Sequence, residues 1–168
     1  MANNHCEDLG IPEHLHRNDR PVKPHFDDGE KIYRRLAPEH LEGNRVVEAA
    51  FDSYDTSVNR EKYSQDPGDV LFNIVDGNHY RHWGVAWLRV SEIEILRLPH
   101  PVLGDEKIHA FKLMHKPEEC MYPHSEMSVR QGDKTLTKRP KSGKVRTQLK
   151  ERLSLLSKVA IRPTPPKA

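Results

Sequence analysis

The stretch "HWGVAWLRV", residues 82–90, organises the rest of the chain. If it is extended, Val85 and Trp87 project to one side, and Ala86, Leu88 and Val90 to the other. A strand that is apolar on both faces belongs inside a sheet or beneath a helix. The sequence therefore predicts a central strand here, with other strands beside it.

Upstream, "EKIYRRLAP" (30–38) alternates Ile32, Arg34 and Leu36 with Tyr33 and Arg35 and stops at Pro38. This pattern predicts a short strand. "NRVVEAAF" (44–51) fits helical turns or a strand equally. Residues 52–65 are rich in turn formers and hydroxyls and predict a loop, with a short extended piece around Ser57 and Val58. From 66 to 76 the signals are those of a short helix. Ser64 or Asp66 can cap it, Pro67 fits its first position, Val70, Leu71, Ile74 and Val75 form an apolar face, and Gly77 stops it.

Downstream, "KIHAFKLMHKP" (107–117) carries His109, Phe111, Leu113 and His115 on one strand face. "MYPHSEMSVRQGD" (121–133) predicts a further strand. "SGKVRTQLKERLSLLSKVAI" (142–161) has the spacing of a long helix. On that helix Lys144, Arg146, Lys150 and Lys158 form a basic outer face, and Arg152 falls within the apolar arc. These elements predict an α+β fold, with a mostly antiparallel central sheet, a short helix near 66–76 and a long C-terminal helix. The expected organisation is an irregular arm (1–28), one domain (29–161) and a Pro-rich tail (162–168).

The 168 residues suit a single domain. With 27 basic and 25 acidic residues, net charge alone gives no case for nucleic acid. From Lys134 onward, however, there are eleven Lys or Arg and one acid, Glu151. A basic tail of this kind suits an acidic protein partner or nucleic acid. The longest purely apolar run is Val85 to Leu88, so no membrane span is expected. No secretory signal precedes Cys6, so Cys6 and Cys120 are expected to be free thiols in a reducing, cytoplasmic setting.

In "PEECMYPHSEMSV" (117–129), an extended backbone turns Met127 and Val129 to the core and His124, Glu126, Ser128 and Arg130 to the other side. That polar row belongs either to an edge strand facing solvent or to a strand lining a cleft. In a cleft, a carboxylate beside an imidazole can serve as general acid or base, so His124 and Glu126 are the catalytic candidates. Arg34 and Arg35 offer planar donor forks for phosphate or carboxylate. A core-side Arg34 needs an acid, with Glu126 and Asp55 as candidates. Ser57, Asn59 and Arg60 in "TSVNR" (56–60) supply hydroxyl, amide and guanidinium groups that suit phosphate or ribose. The spacing of His115, Cys120, His124 and Glu126 matches no zinc pattern, and no metal is assigned. No phosphate-loop, dinucleotide, metalloprotease or hydrolase-elbow motif occurs, so the cofactor is unknown.

An early-strand Arg34, a middle Ser57 and a late-strand Glu126 resemble, in order alone, the arrangement of ADP-ribosyltransferase-like domains. There an early Arg or His, a Ser and a late Glu surround a nicotinamide cofactor. The sequence thus leads to a small soluble intracellular protein with an Arg/Ser/His/Glu site for an anionic nucleotide or phosphodiester, a transferase or nuclease-like enzyme. The alternative is a non-catalytic adaptor that docks a partner or nucleic acid through its basic C-terminal helix.

Overall fold

The computed structural model describes residues 5–51, 56–100, 104–131, 134–135 and 143–164, with the backbone alone at 99–100, 104–108, 134–135 and 143–146. In chain order the regular elements are α1 (His5–Asp8), β1 (Lys31–Leu36), β2 (Leu41–Glu42), β3 (Arg45–Val46), β4 (Thr56–Arg60) and β5 (Gly84–Arg89). Then follow α2 (Val90–Glu94), β6 (Leu98–His100), β7 (Gly104–His115), β8 (His124–Gln131), β9 (Lys134–Thr135), α3 (Gly143–Leu156) and β10 (Lys158–Ile161). β2 and β3 form a separate small ribbon. The remaining strands form one eight-stranded sheet in the order β10-β5-β1-β4-β8-β7-β6, with β9 on β8, and every pairing is antiparallel.

One face of this sheet carries the main core. Ile32, Leu36, Val58, Ala86, Leu88, Phe111, Leu113, Met127 and Val129 point to that side and pack with Leu149 and Leu153 of α3. Strand parity accounts for the choice, since each of these residues alternates with one on the opposite face. That opposite face is partly covered by two smaller apolar clusters, one around Val85, Tyr33 and Leu71 and one around Cys6, Leu15, Cys120 and Met121.

The expected α+β arrangement is overturned by a sheet that dominates the fold and by helices that are few and short. Residues 66–76 do not form a helix. Asp66 does cap a first turn, its Oδ1 accepting from Gly68 N at 2.6 Å, but only a 3-10 segment, Pro67–Leu71, follows. Asn73 then competes with the helix: its side chain accepts from Val75 N at 2.9 Å, and its carbonyl accepts from Gly77 N at 2.8 Å. The C-terminal helix also stops early. α3 ends at Leu156, and Ser157, whose N and Oγ both donate to the Leu153 carbonyl, is the last residue bonded to it. Residues 158–161 instead become the edge strand β10, with Val159 opposite Ala86. Lys158 therefore lies on a strand rather than on the helix, and Arg152 and Leu155 of α3 are exposed.

The cysteines differ from expectation too. Cys6 and Cys120 form a disulfide with Cα atoms 5.3 Å apart, so neither thiol is free. The N-terminal arm is packed along residues 115–122. Tyr122 N donates to Leu15 O at 2.7 Å, Tyr122 Oη to Pro21 O at 2.7 Å, and Lys23 N to His115 Nδ1 at 2.8 Å. Among the described residues, no helix is long and apolar enough to cross a membrane.

Candidate functional site

β1 and β4 pair only at Ile32 with Arg60 and at Tyr33 with Asn59. Beyond Tyr33 the two strands separate, and Arg34 fills the fork. Its Nε donates to the Ala50 carbonyl at 3.1 Å and its Nη1 to the Ser57 carbonyl at 3.0 Å. Burial, with the neighbouring Arg35 charge second, lowers the guanidinium to about 10, so it stays charged at neutral pH. Three of its five N–H donors have no acceptor among the described residues.

A pocket of about 260 Å³ opens over this fork. Its polar wall consists of Arg34, Arg35, Ser57, Asn59, Asn73, Glu118 and His124, and Val70, Phe72, Ile74, Val75, Tyr80 and Met121 supply most of the apolar wall. Arg35 lies over the Tyr80 ring at 4.3 Å and the Trp83 ring at 5.4 Å. Among the described residues, no carboxylate pairs with either arginine. Asp55, one of the expected partners of Arg34, lies outside the described residues.

His124 faces Ser57 across the β4–β8 ladder, where Asn59 pairs with His124 and Ser57 with Glu126. The ring is fixed at both nitrogens. Nδ1 lies 2.8 Å from the Lys116 carbonyl, which can only accept, so Nδ1 carries the proton in the neutral ring. Nε2 lies 3.3 Å from Ser57 Oγ and 3.4 Å from Glu118 Oε1. Asn59 is buried and donates to Met121 Sδ at 3.1 Å.

Five sequence candidates thus meet at one pocket: Arg34, Arg35, Ser57, Asn59 and His124. Two others do not join them. Glu126 Oε2 is paired with Lys116 Nζ at 2.7 Å, and the acid beside His124 is Glu118. Arg60 is fully buried on the core face. It forms a two-pronged pair with Glu30 at 2.7 and 2.9 Å and donates to the Lys23 and His25 carbonyls. Its role is to tie the N-terminal arm to β4. Lys150 is half-buried on α3, and the side chains of Lys144 and Arg146 lie outside the described residues.

Sequence reasoning missed Glu118, Phe72 and Asn73 as pocket residues. Glu118 had a signal. β7 and β8 form a hairpin in which Lys116 N donates to the His124 carbonyl, so residues just inside that pair lie near the imidazole. The loop residues had none, because residues 70–75 carried a helical pattern.

Other histidines and Cys6 are engaged elsewhere. His14 Nε2 pairs with Asp69 Oδ2 at 2.8 Å, and His16 Nε2 lies 2.7 Å from the Ile11 carbonyl. Among the described residues, no group of three or more His, Cys, Asp or Glu is placed to hold a metal. Comparison with protein-family models, curated proteins and solved structures found no match.

Proposed function

We propose that the protein binds a small phosphate-bearing ligand, of nucleotide size or smaller, in the pocket above β1, β4 and β8. The observation that carries this reading is the guanidinium pair. Arg34 and Arg35 line one pocket with donors left over, and Arg35 has no hydrogen-bond acceptor among the described residues. A half-buried cation without a counter-charge is costly, and an anion relieves that cost. Ser57 and Asn59 add neutral polar groups, and Phe72 and Tyr80 provide an apolar surface for the rest of the ligand. His124 gives the site a group able to exchange a proton with the bound ligand.

The cytoplasmic location expected from sequence is at odds with the disulfide, because such bonds persist mainly in oxidising compartments. An oxidising setting is the reading the bond supports.

The test is calorimetric titration of the full chain with inorganic phosphate and with adenosine monophosphate. Both are expected to bind. Arg35→Ala should weaken binding about tenfold or more, the loss of a charge-assisted hydrogen bond being worth about 1.5–3 kcal/mol. Absence of binding, or equal affinity in Arg35→Ala, would contradict the proposal.

A further inference from the structure

We propose that Ser57 is a nucleophile activated by His124, and that the pocket hydrolyses phosphate monoesters through a phosphoserine. This inference rests on the anion-binding reading above and assigns that site a reaction.

The tautomer sets the direction of proton flow. With Nδ1–H held by the Lys116 carbonyl, the Nε2 lone pair faces the Ser57 hydroxyl. Ser57 Oγ has no other hydrogen-bond partner among the described residues, and the residue is exposed at the pocket. A nucleophile, a base within reach and a backbone group orienting that base form the arrangement that covalent catalysis needs.

Glu118 makes the arrangement directional. While His124 is neutral, the carboxylate faces a lone pair at 3.4 Å. Once Nε2 has taken the Ser57 proton, the same contact becomes an ion pair. Glu118 therefore favours the state that exists only as Ser57 attacks, which is the requirement for lowering the barrier rather than merely binding substrate. Arg34 brings positive charge to the same pocket: its Nη1 donates to the backbone carbonyl of Ser57, and both residues line the cavity. Two guanidinium forks can together hold the three non-bridging oxygens of a terminal phosphoryl group, one more than a diester offers, which favours a monoester over a diester.

In the first step the Ser57 Oγ–P bond forms, the P–O bond to the alcohol breaks, and the Ser57 proton passes through His124 Nε2 to the departing alcohol oxygen. In the second step water attacks the phosphoserine and gives its proton to His124. The Ser57 Oγ–P bond breaks, and that proton returns to Ser57. The sum is monoester plus water giving alcohol plus inorganic phosphate.

The experiment uses the full, disulfide-bonded chain with p-nitrophenyl phosphate. Turnover is followed by absorbance, and acid-quenched protein is mapped by mass spectrometry. The expected result is turnover with a phosphoryl group on Ser57. Turnover and adduct should vanish in Ser57→Ala, and turnover should fall about 10²–10⁴-fold in His124→Gln. Because Ser57 is exposed, Ser57→Ala should melt close to the wild type. If the wild type binds inorganic phosphate but shows neither turnover nor adduct, or if Ser57→Ala retains full turnover, the nucleophile is overturned and the anion pocket stands. If the wild type does not bind inorganic phosphate, the pocket reading fails and this inference fails with it.

Discussion

At the scale of single residues, the clearest lesson comes from "TSVNR" in β4. Thr56, Val58 and Arg60 are buried on the core side, while Ser57 and Asn59 face the pocket. Strand parity could have separated Arg60 from the other candidates, but its partner Glu30 lies thirty positions away and nothing local names it. The same buried region sets a pH dependence through His115. Its Nδ1 accepts from Lys23 N–H, and its Nε2–H donates to the Tyr122 carbonyl, so the ring is held neutral. Burial pushes its pKa below the ordinary 6.5, with the Tyr122 bond opposing and the Arg60 and Arg17 charges adding to the depression. Below that ordinary value the unfolded chain binds the proton first, so stability is full above about pH 6.5 and is lost as pH falls toward the folded value. A histidine NMR titration should show His115 changing below 6.5. A midpoint at or above 6.5 would contradict this account.

Among the elements, the longer strands β1, β5, β7 and β8 were legible because their alternation was strong. β7 carries the expected His109, Phe111, Leu113 and His115 on its buried face, and β8 turns Met127 and Val129 inward. The helices were misjudged where a local start signal was real but did not propagate. Asp66 and Pro67 open a turn, and Asn73 then diverts the backbone. β10 was hidden because residues 158–161 continue a helical spacing and only the open edge of β5 recruits them. The loop after Asn73 is pinned at Gly77. Its φ is +76°, and an added Cβ would lie 2.5 Å from the Leu9 carbonyl. Gly77→Ala should therefore destabilise the protein by about 1–3 kcal/mol and loosen the pocket wall formed by Phe72 and Ile74. Urea unfolding measures the first effect, and an unchanged midpoint would show that the loop yields freely.

For the whole molecule, the Cys6–Cys120 bond joins residues 114 positions apart. It sits in the apolar cluster that also holds Ile11, Leu15 and Met121, with Phe72 and Ile74 packed against it. The last two and Met121 line the pocket, so the N-terminal segment buttresses the site. Sequence could not show the bond, because cysteine pairing across such a distance depends on the completed hairpin. For a loop this long, the chain-entropy estimate is about 4–5 kcal/mol. Replacing both cysteines by serine should lower unfolding stability by several kcal/mol and expose the amides of residues 5–11 to hydrogen exchange. A change under about 0.5 kcal/mol would mean that the fold does not depend on the bond.

The central claim is that the fork between β1 and β4 is an anion site. Its most direct test is an NMR titration of the oxidised full chain with inorganic phosphate, followed at arginine side chains and backbone amides. The expected result is saturable shifts at Arg34, Arg35, Ser57 and His124, with Arg152 and Arg45 unmoved. Shifts spread equally over exposed cations, or no shift at the fork, would contradict it.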